Sequence, residues 1–305
     1  MRSDSLPLEK YSVEQWRKRG EFFTHRGHRL FYIAEGTGPT VILLHGFITS
    51  SWDWSLVWPL LTSNFRLVAL DFLGFGYSDK PIDAPQSDYL TTGRADSVLA
   101  IAEHLGLDRP HLVASSFGVS VVQELLRRRE HNELGRDIEF ASICLTNGGL
   151  FPVVNRPKLG QRLLLSRLGP VVGRFIRPAI LRKNLLSVCG QSRFSQQRLD
   201  EYWNLLRCND GHLVLHRTIR YLGERTSIGE EWTRALCVSE LPVRLIWGGH
   251  PNDTVSGRST LEEYRDLVNA PDTVLLSRAG HYPHLEEPER FAELFYAFAK
   301  DKVSP

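Results

Sequence analysis

The chain has 305 residues, of which 42% are hydrophobic and 24% are charged. Both fractions are ordinary for a globular protein, so the composition excludes a collagen, a coiled coil and a long disordered chain. The 37 Lys and Arg residues against 35 Asp and Glu residues give a formal net charge of +2. Because there is no strong basic excess, nucleic acid is not an expected partner.

The N-terminal residues 1–18 lack a signal-peptide pattern, since charged residues such as Asp4 and Glu9 interrupt them. Pro59 and many polar residues break the longest nearly uncharged stretch, residues 40–65, so no membrane-spanning helix is expected. The four cysteines form no close pair, and Cys144 lies in an apolar run that is typical of a buried thiol. These observations predict a reducing, cytoplasmic location.

Short apolar runs bounded by turn residues recur along the chain and predict strands buried on both faces. An opening antiparallel hairpin is indicated by Phe22-Phe23 and the first of these runs, on either side of Arg26-Gly27. Segments of helical period separate several of the runs. This alternation predicts an α/β fold whose mostly parallel sheet is flanked by helices. The runs are residues 30–33, 41–44, 67–70, 111–114, 143–145, 243–247 and 273–276.

The alternation stops between residues 151 and 237, where Leu, Arg and Val recur at helical spacing. We expect a helical insertion here, about the size of a small subdomain, between residues 21–150 and residues 238–305. Residues 151–220 carry a net charge of +10, which leaves −8 for the remainder. We expect these arginines to cover the acidic remainder of the chain, and contact of the basic insertion with an anionic membrane is the alternative.

Ser115 and Ser116 lie where the fourth of the apolar runs leads into a helical segment. A nucleophile on such a strand-to-helix turn needs small residues two positions before and two positions after it. Ser116 has Ala114 and Gly118 at these positions, whereas the corresponding neighbours of Ser115 are bulky. Ser116 is therefore the candidate nucleophile. Capping of the following helix is the alternative, because Ala114 stands where the G-x-S-x-G pattern has its first glycine.

A serine nucleophile needs a base to remove its proton, and imidazole has a suitable pKa. His281 follows the last apolar run, at the carboxyl end of a strand, where doubly wound sheets bind ligands. His281 is thus the candidate base and His284 is the runner-up. A metal site at His281 and His284 would need His250 as a third ligand, and His250 does not stand at a clear metal-ligand spacing from them. No metal is therefore expected.

The base in turn needs an acid that orients it, and Asp253 lies in the loop after the run 243–247. A solvated loop aspartate is the alternative for this residue. Acyl transfer also needs hydrogen-bond donors for the developing oxyanion. The backbone N–H groups of Phe47 and Phe117 are the candidates, and their side chains favour apolar acyl groups.

Together, and in the chain order Ser116, Asp253, His281, these features resemble the α/β-hydrolase superfamily. The resemblance covers nearly the whole chain and implies an eight-stranded sheet with a helical cap between strands 6 and 7. The helical insertion, residues 151–237, would be this cap, and residues 21–150 and 238–305 would form the catalytic core. The resemblance implies no cofactor. The motifs that carry it are His45-Gly46-Phe47, the segment 71–78, Ser116 on its turn, Trp247-Gly248, Gly280-His281 and Glu286-Glu287-Pro288.

Within the superfamily, the segments 71–81, 145–152 and 209–214 are similar to the mesoderm-specific transcript branch, near the epoxide hydrolases and haloalkane dehalogenases. Three features depart from this pattern. Ser116 stands where those enzymes use an Asp nucleophile. Phe47 and Phe117 stand where a dehalogenase would have Asn and Trp, and the loop from Gly248 to Asp253 is longer than usual.

The expected function is that of a serine hydrolase that cleaves a carboxylic ester, thioester or lactone with an apolar acyl group through an acyl-enzyme on Ser116. A carbon–carbon bond hydrolase or a perhydrolase that uses the same three residues is one alternative. The other is a catalytically weak protein of this fold that binds a ligand or a protein partner through its cap.

Overall fold

The computed structural model describes residues 11–135, 138–152, 159–191 and 194–302. The N-terminal charged residues named above, and three basic residues of the expected cap, Arg156, Lys158 and Arg193, lie outside these ranges. One sheet of eight strands has the order β1-β2-β4-β3-β5-β6-β7-β8. The strands are β1 (Glu21–His25), β2 (His28–Glu35), β3 (Thr40–Leu44), β4 (Arg66–Leu70), β5 (His111–Ser116), β6 (Ile143–Gly148), β7 (Val243–Gly248) and β8 (Asp272–Leu276).

The expected α/β architecture is confirmed, since β3 to β8 run parallel and β2 pairs antiparallel with both β1 and β4. The expected hairpin joins β1 to β2. Its turn residues Arg26 and Gly27 both have positive φ, 51° and 80°. Two-residue hairpin turns of this kind match the twist of the strands and favour glycine, which explains Gly27.

Helices cover both faces of the sheet, and α5 to α11 lie between β6 and β7, where the sequence predicts a helical cap. The limits of the two domains stay a prediction. The helices are α1 (Val13–Arg19), α2 (Trp58–Leu61), α3 (Thr91–His104), α4 (Phe117–Glu130), α5 (Leu159–Leu165), α6 (Gly169–Arg174), α7 (Pro178–Leu186), α8 (Gln196–Arg207), α9 (Leu215–Thr218), α10 (Tyr221–Ser227), α11 (Gly229–Cys237), α12 (Arg258–Leu267), α13 (Pro283–Glu286) and α14 (Pro288–Ala299).

The central strands are buried on both faces, as their continuous apolar sequences predict. In β3, Val41 and Leu43 pack into one hydrophobic cluster, and Ile42 and Leu44 pack into the other. Cys144 in β6 is a fully buried free thiol, and burial raises its pKa. No helix within the described ranges is long and apolar enough to cross a bilayer.

We predict that Leu43→Ala lowers the free energy of unfolding by about 2–5 kcal/mol, because Leu43 has no exposed surface and the change leaves a cavity beside the central strands. Leu267 at the end of α12 is 55% exposed, so Leu267→Ala serves as the control and should change stability by about 0.5 kcal/mol or less. Urea unfolding of both variants measures the difference. Equal losses would contradict this account of the core.

Candidate active site

Ser116 is the last residue of β5 and directly precedes α4. Its backbone has φ 54° and ψ −116°, a conformation that non-glycine residues rarely adopt and that occurs at strained functional turns. Its side chain makes no capping hydrogen bond to α4, so the capping alternative is wrong for Ser116. A Cβ atom on Gly118 would lie 2.7 Å from the Leu44 carbonyl oxygen, which explains the need for a small residue two positions after Ser116.

The loops after β7 and β8 bring Asp253 and His281 together. The Asp253 Oδ2 atom lies 3.1 Å from His281 Nδ1. Ser256 lies between the two groups, with its Oγ atom 3.1 Å from Asp253 Oδ2 and 3.0 Å from His281 Nδ1. The longer loop after β7 therefore still brings its aspartate within hydrogen-bond distance of the histidine.

Asn147 in β6 connects the acid to the serine strand. Its Nδ2 atom donates to Asp253 Oδ2 at 2.9 Å and to the Gly248 carbonyl at 3.0 Å. The next residue, Gly148, pairs with Ser116 across β5 and β6. Ser116 and the pair formed by Asp253 and His281 therefore lie at the same carboxyl edge of the sheet, joined through two consecutive residues.

The Asp253 carboxylate is buried yet ionised. Burial opposes ionisation, but the charge of His281 and hydrogen bonds from His281, Asn147 and the Val255 amide outweigh it and lower the pKa of Asp253 to about 2. A carboxylate that stays charged can hold the imidazole in one orientation and stabilise its protonated form.

The segment His45-Gly46-Phe47 follows β3 and passes close to Ser116, since a Cβ atom on Gly46 would lie 3.1 Å from Ser116 Oγ. His45 is fully buried, and burial lowers its pKa to about 3, so the ring is neutral. Its Nε2 atom accepts a hydrogen bond from the Phe72 amide, so its Nδ1–H donates to the Gly46 carbonyl at 2.7 Å.

This hydrogen bond orients the next backbone donor. The Gly46 carbonyl and the Phe47 N–H belong to one planar trans peptide and point in opposite directions. By holding the carbonyl, His45 therefore also fixes the direction of the Phe47 N–H. Phe117, the second candidate donor, is the first residue of α4, where backbone N–H groups have no partner within the helix.

Tyr221 of α10 contacts the aromatic side chains of both candidate donor residues. Its ring centroid lies 4.4 Å from that of Phe117 and 5.7 Å from that of Phe47. On another side of Phe117, the buried Arg94 guanidinium lies 4.5 Å from the ring centroid. The helical insertion thus contributes an aromatic wall to the site, and α3 supports Phe117 with a cation–π contact.

Glu286 holds the loop that carries His281. Its carboxylate accepts hydrogen bonds from the backbone N–H groups of Gly280, Tyr282 and Gly190, the last at 2.7 Å. Gly190 belongs to the segment after α7, so the same carboxylate ties the insertion to this loop. Burial raises the pKa of Glu286 to about 7 against the opposing effect of these donors.

The runner-up base, His284, lies in the core. It has no exposed surface and its ring centroid lies 4.3 Å from that of Trp54. Neither ring nitrogen has a hydrogen-bond partner among the described residues. Burial lowers the pKa of His284 well below its ordinary value, so it is a neutral packing residue.

Sequence reasoning missed three residues of this site: Ser256, Tyr221 and the linking role of Asn147. Asn147 lies in the segment 145–152, whose similarity to known proteins is a signal for it. Ser256 and Tyr221 carry no local signal, because the contacts of Ser256 with His281 and of Tyr221 with Phe117 join residues that are 25 or more positions apart in the sequence.

The sequence matches the profile of the alpha/beta hydrolase family over residues 41–294. The chain belongs to that family. Among its relatives, the mesoderm-specific transcript homolog protein of Homo sapiens is 38% identical over 299 residues, which cover 94% of this chain and 88% of the relative. The predicted resemblance to this branch is confirmed.

A second relative, LipZ of Mycobacterium tuberculosis, is named as a hydrolase. It is 33% identical over 287 residues, which cover 92% of this chain and 96% of the relative. Family membership and such relatives support a hydrolase.

Solved structures confirm the α/β-hydrolase fold. Haloalkane dehalogenase DbeA from Bradyrhizobium elkani superposes with a TM-score of 0.77 at 19% identity, over 93% of this chain and 98% of that chain. A protein from Burkholderia cenocepacia described as an aryl esterase has a TM-score of 0.72 at 23% identity, over 94% of this chain and 100% of that chain. At such low identity the likeness concerns the fold alone.

For this α/β hydrolase we predict a pH-dependent stability that belongs to Asp253. In the unfolded chain an Asp has a pKa of about 3.9. A folded pKa of about 2 therefore stabilises the fold fully above the unfolded value, and this contribution is lost as the pH falls through the folded value. The contribution is about 2–3 kcal/mol.

Urea unfolding of wild type and Asp253→Asn measures this contribution. The difference in unfolding free energy between them should stay constant near pH 5 and shrink as the pH falls from about 4 towards 2. Other carboxylates titrate in both proteins and cancel in the difference. A difference that does not change over this range would show that the pKa of Asp253 is not lowered.

Proposed function

We propose that this α/β hydrolase is a serine hydrolase that cleaves a carboxylic ester, thioester or lactone through an acyl-enzyme on Ser116. The observation that carries the proposal is the hydrogen bond between Asp253 and His281 Nδ1. It leaves Nε2 as the ring nitrogen that can accept the Ser116 proton.

In the proposed reaction, Ser116 Oγ attacks the substrate carbonyl carbon while its proton passes to His281 Nε2. The Phe47 and Phe117 N–H groups stabilise the oxyanion. When the tetrahedral intermediate collapses, the protonated His281 gives this proton to the departing alcohol or thiol. His281 then takes a proton from water, the hydroxide attacks the acyl-enzyme, and the carboxylic acid leaves as Ser116 regains its proton.

The nucleophile favours acyl transfer over the chemistry of the dehalogenases that share this fold. Displacement of a halide or opening of an epoxide by Ser116 Oγ would form an ether, which activated water does not cleave. An Asp nucleophile forms an ester in those reactions, and water can release it. Turnover on Ser116 therefore requires a substrate that supplies its own carbonyl group.

The surroundings of the two proposed donors favour an apolar acyl group. The Tyr221 ring contacts the rings of both Phe47 and Phe117, and Phe75 lies 6.1 Å from Phe47 between ring centroids. Such a lining binds alkyl or aryl chains through burial of apolar surface. We therefore propose apolar acyl esters of small to medium size as substrates.

We predict that Ser116→Ala abolishes hydrolysis of short p-nitrophenyl esters and labelling by a fluorophosphonate, because the proposed acyl-enzyme forms on the Ser116 hydroxyl. Ser115→Ala is the matched control. Ser115 is fully buried and its Oγ has no hydrogen-bond partner among the described residues, so this variant should keep wild-type labelling. If Ser116→Ala retains the activity, or wild type is not labelled, the proposal is wrong.

Glu286 is a positioning residue in this proposal, and Glu286→Gln tests it. The amide NH2 would face backbone N–H donors instead of accepting from them, so the loop that carries His281 should shift. We expect kcat to fall, by up to about 100-fold for a displacement near 1 Å, with KM little changed.

The assay at pH 8 keeps the wild-type carboxylate ionised, since its pKa is about 7. The exposed Glu289 in α14 provides the control Glu289→Gln, which should behave as wild type. An unchanged kcat in Glu286→Gln would show that the loop does not depend on this carboxylate.

A further inference from the structure

The segment from α5 to α7 exposes an unusual number of apolar side chains. Of the twelve large hydrophobic residues that are exposed in the described ranges, six lie between residues 159 and 180, and Phe175 at 74% is the most exposed of all. We call these residues, with the exposed basic residues between them, the cap face. The six are Leu159, Leu163, Leu168, Val171, Phe175 and Ile180.

The same surface is strongly basic. Residues 140–199 contain no Asp or Glu at all, although they contain ten Lys or Arg. The exposed basic residues of the cap face are Arg162, Arg167, Arg174 and Arg177. Long basic side chains can lay their stems along apolar surface and extend their charged ends towards phosphate groups.

Other arginines of the insertion do face the core. Arg198 is buried, and its charge opposes the burial that raises the pKa of Asp53 to about 6. Arg217 donates to the backbone carbonyls of Ile82 and Ala84. The basic residues of the cap face are a different set, since they lie on the outer surface. Cover of the acidic core therefore does not explain them.

The inner side of this segment is packed, so the cap face is held in place. Leu164, Leu181 and Leu185 are buried, and a Cβ atom on Gly173 would lie 2.6 Å from the His212 carbonyl oxygen. The segment α5 to α7 thus has an apolar inner side and an outer side that is both apolar and basic. Burial of the apolar inner side explains why the segment folds against the rest of the chain. An exposed apolar outer side is unfavourable in water and is typical of an interaction surface.

We propose that the cap face docks onto the surface of a bilayer that contains anionic lipids. Leu168, Val171 and Phe175 would enter the boundary between headgroups and acyl chains, and the arginines would contact lipid phosphates and carboxylates. The proposal goes beyond the hydrolase activity and does not depend on it. A second copy of the chain fits less well, because a symmetric contact would oppose the same positive charges.

The segment that carries the cap face is linked to the candidate active site. The segment after α7 reaches the loop that carries His281, since the Val188 carbonyl accepts a hydrogen bond from the His281 N–H at 2.9 Å. Gly190 in turn donates to Glu286. Hydrogen bonds therefore join the segment that carries the cap face to the His281 loop.

Co-sedimentation of the full chain with vesicles tests the proposal. Wild type should bind vesicles of phosphatidylcholine with about 30% phosphatidylserine at least several-fold better than vesicles of phosphatidylcholine alone, and added salt should weaken the binding. Both the pair Leu168→Ser with Phe175→Ser and the pair Arg174→Glu with Arg177→Glu should reduce it to the level of phosphatidylcholine.

Exposed residues of the same kinds on α12 give the matched controls, Leu267→Ser and Arg258→Glu, which should bind as wild type does. Hydrolysis of a water-soluble p-nitrophenyl ester by every variant separates failure of docking from failure of the proposed activity. Absent binding, equal binding to both vesicles, or equal loss in the controls would overturn the proposal. So would a dimer that forms through Phe175 in place of vesicle binding.

Discussion

The positive φ of Ser116 is the constraint on which the candidate site depends. Three glycines leave room for this conformation. A Cβ atom on Gly46 would lie 2.7 Å from Ser116 Cβ, and one on Gly148 would lie 2.5 Å from the Ser116 carbonyl oxygen. A Cβ atom on Gly118 would lie 2.7 Å from the Leu44 carbonyl oxygen. The strained turn is thus enclosed by backbone from β3, β6 and α4. Burial of the parallel strands stabilises this arrangement, and the arrangement holds one hydroxyl at the edge of the sheet.

Around that hydroxyl, buried polar groups hold one another in position through hydrogen bonds. Asn147 holds Asp253, Asp253 holds His281, and Glu286 holds the backbone on either side of His281. Each of these carboxylates accepts several hydrogen bonds, which offsets the free energy of burying a charge. Because Glu286 also binds Gly190, the helical insertion and the His281 loop are joined at one point. Changes in the insertion can therefore reach the site directly.

The sequence predicts the sheet well, because strands buried on both faces are continuous apolar runs and need no knowledge of their partners. It also identifies Ser116, Asp253 and His281 as candidate catalytic residues, because each lies at the carboxyl end of a predicted strand. Their catalytic roles stay predictions. Ser256 and Tyr221 could not be predicted, since the loop serine reaches His281, and the helical tyrosine reaches Phe117, through contacts between distant segments.

Acylation of Ser116 is the central claim, and its most direct test uses an activated carbamate, whose carbamoyl group leaves the enzyme slowly. The chain is treated with a p-nitrophenyl carbamate and analysed by intact-protein mass spectrometry and peptide mapping. Our account predicts one carbamoyl group per chain on Ser116, with esterase activity lost in proportion to its occupancy. An adduct on another residue that accounts for the loss of activity, or an esterase activity that persists when Ser116 is fully modified, would contradict it.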